Sequence, residues 1–90
     1  MNKYTIYVYD GTDITKDLVC VGIKQHLTEE KAYSLARQIA ERISDAYGRS
    51  CVEILEEYNT EDGVYLELYD TITEPYNPNI NPNFEDLLED

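Results

Sequence analysis

The last forty of the chain's ninety residues, Cys51 to Asp90, contain no lysine and no arginine. Affinity for phosphate backbones comes largely from basic side chains that release counterions, so this absence argues against direct nucleic-acid binding. Glycine occurs four times, too scattered for a phosphate cradle, and neither GxGxxG nor GxxxxGK[ST] is present. His26 is the single histidine. No Cys or His stands at metal-ligand spacing from it, and a structural or incidental role is expected. No apolar run approaches the roughly twenty residues that cross a bilayer, and the negative charge repels anionic lipid, so no membrane association is expected. Nothing at Met1-Asn2-Lys3 resembles a secretory signal. A reducing cytoplasm is therefore the expected compartment, with Cys20 and Cys51 as free thiols rather than a bridge.

What the chain has instead is acid. Residues 51–90 hold twelve carboxylates, whereas residues 1–50 balance seven acids against all seven bases, so the second half carries the whole net charge of −12. Such a surface repels DNA and is drawn to basic clefts on other proteins, where long-range steering speeds encounter.

Ninety residues allow one small core. Lys3 to Tyr9 alternates β-branched and aromatic residues, with Tyr4, Ile6 and Val8 on one face and Thr5, Tyr7 and Tyr9 on the other, which predicts a strand. Turn residues at Asp10 to Asp13 precede a second strand over Leu18 to Lys24, with Val19, Val21 and Ile23 expected in the core. Thr28 offers a helix cap, and the apolar positions Ala32, Leu35, Ala36, Ile39, Ile43, Ala46 and Tyr47 share one helical face before a terminating Gly48. Cys51 to Tyr58 and Val64 to Tyr69 read as a hairpin around Asn59 to Gly63, with Val64, Leu66 and Leu68 facing inward and Tyr65, Glu67 and Tyr69 outward. Glu56 falls on the side of Val52 and Ile54, which implies that burial ends there or a bulge shifts the register.

The expected fold is α+β: a ββαββ domain over residues 1–73, with a mainly antiparallel sheet of about four strands and one long helix on one face. An irregular acidic Pro/Asn tail follows over residues 74–90. Phe84, Leu87 and Leu88 in that tail share the face of a short helix turn that either folds back on the domain or docks on a partner.

No catalytic constellation accompanies these elements, and no enzyme is expected. Serines 34, 44 and 50 lack a nucleophile-elbow setting. The loop Asp10-Gly-Thr-Asp lacks the alternating calcium pattern, and an EF-hand frame at Gly63 demands oxygen ligands where Tyr58 and Thr60 stand, so neither metal nor cofactor is expected.

One constellation remains. With the helix over Ile6, Val21, Ile54 and Leu66, the opposite face shows Thr5, Tyr7, Tyr9, Glu53, Leu55, Glu57, Tyr65, Glu67 and Tyr69. Same-face residues stand about 6.6 Å apart along a strand and about 4.8 Å apart across strands. Carboxylates on that lattice approach the density of DNA phosphates, about one per 3.4 Å of each strand. In size and charge alone, the chain resembles the acidic inhibitors that phages and mobile elements make against restriction or CRISPR nucleases. The resemblance implies a small inhibitor that occupies the basic nucleic-acid cleft of a target as a nucleic-acid mimic. The expected partner-binding residues are Glu53, Glu56, Glu57, Glu61, Asp62, Glu67 and Asp70, with Tyr65 and Tyr69 as anchors. The alternative expectation is a non-catalytic accessory module or homodimer that uses the tyrosine face or the tail.

Overall fold

A computed structural model describes residues 2–89; Met1 and Asp90, the outer ends of the expected domain and tail, lie outside the described residues. The elements are β1 (Lys3–Asp10), β2 (Val19–Leu27), α1 (Glu29–Ile43), β3 (Cys51–Thr60), β4 (Gly63–Ile72) and a single turn α2 (Glu85–Leu88). The four strands form one sheet in the order β2-β1-β3-β4, with every neighbouring pair antiparallel. This is the expected α+β arrangement, with β1 and β3 in the interior of the sheet.

The helix starts where its chemistry allows. Thr28 accepts the Lys31 amide at 3.2 Å, and Glu29 and Glu30 occupy the first turn, where the helix dipole favours anions. Ala32, Leu35, Ala36, Ile39 and Ala40 are buried against Tyr4, Ile6, Val8, Val52 and Ile54. Ile6, Ile39 and Ile54 are fully buried, so truncating one to Ala costs about 2–5 kcal/mol. The helix ends at Ile43, earlier than the apolar spacing through Tyr47 predicts. Asp45 explains the early stop: its carboxylate accepts the amides of Tyr47, Arg49 and Ser50 at 3.0, 2.9 and 2.7 Å. These local bonds offer the backbone an alternative to another helical turn. Gly48 adopts its positive φ of 68° inside that loop, and Tyr47 is exposed.

Two face assignments differ from the sequence reading. In β2, Val19, Val21 and Ile23 are exposed, and Leu27 is the buried apolar residue of the strand. Register irregularities against β1 at Tyr4/Ile6 and Val8/Tyr9 break the simple alternation, and β2 is an edge strand. In β4 the pairs Tyr58 with Tyr65 and Glu56 with Glu67 put Tyr65 and Glu67 on the helix side, while Leu55 with Leu68 and Glu57 with Leu66 put the leucines on the other side. A bulge at Tyr69 then restores Asp70 and Ile72 to the helix side, opposite Ile54 and Val52. Val64, Leu66 and Leu68 thus face away from the core, contrary to expectation.

The tail folds back. Phe84, Leu87 and Leu88 pack against the core, covering the part of β2 that α1 does not reach. Arg42 donates to the Asn83 carbonyl at 2.9 Å and to Asp86 at 3.0 Å, and the Lys24 ammonium donates to the Leu88 carbonyl at 2.9 Å. No helix among the described residues is long and apolar enough to cross a membrane.

Candidate functional site

β3 pairs with β1 only as far as Glu57, opposite Lys3, whereas the β3–β4 pairing continues from Tyr58 with Tyr65 to Thr60 with Gly63. The hairpin therefore projects past the end of β1 as a two-stranded arm. Glu61 and Asp62 form its exposed tip, closed by Gly63 at a φ of 133°.

At the root of the arm, on the helix side, tyrosines and carboxylates interlock. The Tyr4 hydroxyl lies 3.3 Å from both Glu29 and Glu56, and Tyr69 donates to Glu29 at 3.2 Å. Tyr33 on α1 donates to Asp70 at 2.7 Å, and Tyr58 and Asn2 both donate to Glu56. The rings pack edge to face, with Tyr4 and Tyr69 centred 5.1 Å apart and Tyr33 and Tyr69 6.4 Å apart. Such pairs fix ring orientation, so the hydroxyls are aimed rather than free to rotate outward.

The electrostatics follow from this geometry. Hydrogen bonds from Tyr58 and Asn2 outweigh partial desolvation and hold the Glu56 carboxyl below its ordinary pKa. Its bond to Asp70, and then burial, push Tyr33 up to about 12, and the bond to Glu56 pushes Tyr58 up to about 12. Burial first, then its neighbours Tyr69, Glu29 and Glu56, raises Tyr4 further still. Each shift favours neutral tyrosines beside ionised carboxylates.

Among the described residues, Glu29, Glu56, Glu67 and Asp70 form no ion pair with Lys, Arg or His. Arg37 lies 6.0 Å over the Tyr33 ring. The bases of the opposite end are engaged locally: Arg49 with the carbonyls of Gly11, Asp13 and Lys16, Arg42 with Asp86, and Lys16 with Asp13.

The nine sequence-predicted residues do not share one face. Glu56, Tyr65, Glu67, Tyr69 and Asp70 lie on the helix side of the hairpin, Glu61 and Asp62 lie at the tip, and Glu53 and Glu57 point to the opposite side. Glu57 is only 7 % exposed and accepts from the Thr5 hydroxyl at 3.0 Å and the His26 amide at 2.9 Å. It is a structural carboxylate. Sequence reasoning missed Glu29, Tyr4, Tyr33 and Tyr58; the tyrosines are the same residue type as the predicted anchors, but Tyr4 is brought to the arm by the strand order, Tyr33 by the packing of α1, and Tyr58 faces Glu56 within the arm itself.

Elsewhere a groove of about 350 Å³ lies between the end of α1, β2 and the tail, lined by Val21, Ile43, Tyr47, Tyr76, Pro82 and Phe84 among others. Its one buried carboxylate, Asp45, is bonded to backbone amides and points to no chemistry there. No group of three or more His, Cys, Asp or Glu side chains among the described residues is placed to hold a metal ion. Compared with known proteins, the chain matches no family, no curated protein and no solved structure.

Proposed function

We propose that this chain is a non-catalytic protein-binding module that sets its acidic arm into the basic, nucleic-acid-binding surface of another protein and blocks it as a nucleic-acid mimic. The observation that carries this reading is the tyrosine-braced carboxylate cluster of Glu29, Glu56 and Asp70, with the exposed Glu67 beside it, which forms no ion pair among the described residues. Carboxylates held by neighbouring hydroxyls and rings lose little freedom on binding, and preorganisation of this kind raises affinity. Tyrosines add rigid contact area with a polar tip. Charge of one sign on a projecting element also steers encounter with a surface of the other sign. Free thiols at Cys20, exposed, and Cys51, buried, fit a cytoplasmic setting.

The test is capture of a partner from nuclease-treated lysate with elution by rising salt, followed by competition with nucleic acid for that partner. The triple variant Glu29→Gln, Glu56→Gln, Glu67→Gln is expected to lose capture while its circular dichroism stays unchanged. Undiminished capture by that variant, or a partner that holds nucleic acid and this chain together, refutes the reading. Glu57 is unsuitable for the test, because its loss disturbs the sheet itself.

A further inference from the structure

One face of the sheet is left uncovered by both α1 and the tail. It carries Ile23 on β2, Tyr7 and Tyr9 on β1, Leu55 on β3, and the row Val64, Leu66 and Leu68 on β4. Ile23, Val64 and Leu68 are each more than half exposed, at 52 %, 59 % and 56 %. Scattered apolar residues are ordinary on protein surfaces, but a contiguous sheet face of them marks an interaction site.

We propose that this face is a self-association surface on which a second copy of the chain packs, sheet against sheet. The charge distribution selects that occupant. A chain of net charge −12 leaves this one face nearly neutral. Of its two carboxylates, Glu57 is engaged by Thr5 and His26 and is paired in register with Lys3, and Glu53 lies beside Tyr9. A basic partner finds little to pair with here and far more at the arm. Two copies meet without placing carboxylate rows against each other.

Geometry agrees. Packed sheets lie about 10 Å apart, and the Glu56, Glu67 and Asp70 side chains point away from the shared layer, so opposing clusters are separated by more than the Debye length of about 8 Å at physiological salt. The strands run about 30 Å and the four of them span about 15–19 Å, a footprint of roughly 450–570 Å² before side-chain relief. Relief brings this towards the about 800 Å² that each partner contributes to a stable interface. The face is also self-complementary. Ile23, Tyr7, Leu55, Leu68, Leu66 and Val64 follow one another as a diagonal stripe across the four strands, and a twofold axis along that diagonal lays the stripe of each copy on that of the other. Edge-to-face packing of Tyr7 on Tyr9, 6.4 Å apart, already presents a firm surface to receive it.

Sedimentation equilibrium on the full chain tests the proposal. The expected mass is twice 10.5 kDa. The dimer fraction is expected to rise with added salt, because screening reduces the residual repulsion between two acidic chains while apolar burial is retained. Leu68→Lys and Ile23→Lys are each expected to give a folded monomer, since both positions are solvent-exposed in one copy. Tyr47→Lys, which changes an exposed aromatic away from this face, is expected to remain dimeric. A wild-type chain that stays monomeric at about 100 µM, far above a micromolar dissociation constant, overturns the proposal, including where a foreign protein is the occupant. So does a dimer that survives either lysine variant that folds. Loss of the dimer in the lysine variants leaves the acidic cluster intact, so capture of a basic partner reports separately on the arm.

Discussion

The Glu57 carboxylate holds His26 at two points, accepting its backbone amide at 2.9 Å and lying 2.9 Å from ring Nδ1. His26 thereby keeps a φ of 61°, which few residues other than glycine adopt, in the irregular stretch of β2 opposite Thr5. Burial opposes ionisation of Glu57, but the His26 amide, the Thr5 hydroxyl and the imidazole outweigh it, so its carboxyl sits below the ordinary value of 4.5. A carboxyl lowered in the folded state stabilises the fold above its unfolded pKa, and that contribution disappears as pH falls through the folded pKa. Glu57→Gln is expected to cost about 1.5–3 kcal/mol at neutral pH, the range for a hydrogen bond to a charged group. In urea denaturation the gap to wild type should close as pH is lowered through the acid range. A gap that persists in acid contradicts this account.

The tyrosine cluster makes the opposite prediction at high pH. Tyr33 and Tyr58 are pushed up to about 12 from an ordinary 10.0. Their stabilising effect is complete below the unfolded pKa near 10 and is lost as pH rises towards 12. Ultraviolet titration should show a fraction of the nine tyrosines ionising late. Asp70→Asn removes the charge that faces the Tyr33 hydroxyl and should bring Tyr33 down, as followed by its ring resonance. If Tyr33 titrates unchanged in that variant, the Asp70 contact is not what holds its proton.

Much of the fold was legible because the local patterns are strong. Ala32, Leu35, Ala36 and Ile39 mark one helical face, and Tyr4, Ile6 and Val8 mark one strand face, and both are buried as expected. Alternation in β4 was equally clear, yet its direction was not, since both faces carry large side chains. Pairing across the turn at Glu61 and Asp62, together with the bulge at Tyr69, decides which set meets the helix, and neither leaves an unambiguous mark in the sequence. Val19, Val21 and Ile23 misled for a related reason: β2 is an edge strand whose register against β1 shifts twice, so an apolar run there does not mean burial under α1. The acids of the candidate site were identified from charge alone. Their sorting onto two faces and a tip depends on register, and two of the bracing tyrosines, Tyr4 on β1 and Tyr33 on α1, are brought to the hairpin only by the tertiary fold.

Arg49 ties down the loop between β1 and β2, donating to the carbonyls of Asp13 at 2.9 Å and Lys16 at 2.7 Å. Gly11 is buried beneath it, and a Cβ at that position would lie 2.7 Å from the Arg49 backbone carbonyl carbon. Backbone cannot swing aside as a flexible side chain can, so Gly11→Ala is expected to cost about 1–3 kcal/mol through overpacking. Arg49→Lys should loosen residues 11–18, because a single ammonium does not reproduce the planar fork that reaches two carbonyls. Amide exchange in that loop measures the second effect and the denaturation midpoint measures the first. Wild-type values for both variants would show that the loop is held by other contacts.

Gly22 provides a way to loosen the tail without touching the helix-packed core. A Cβ there would lie 2.6 Å from Leu88 Cδ1 and 3.3 Å from Phe84 Cε2, both atoms of side chains that move more readily than backbone. Gly22→Ala should therefore shift α2 outward rather than distort β2. Arg42 and Lys24 still tether the segment through Asn83, Asp86 and the Leu88 carbonyl, so the expected result is a weakened contact and not complete release. Combining Gly22→Ala with Arg42→Ala removes one of those tethers as well. The double variant should be cleaved faster within residues 73–89 by limited proteolysis, while residues 3–72 keep the slow amide exchange of the sheet. Protection of the tail equal to that of wild type would mean that Phe84 and Leu88 contribute little to its docking.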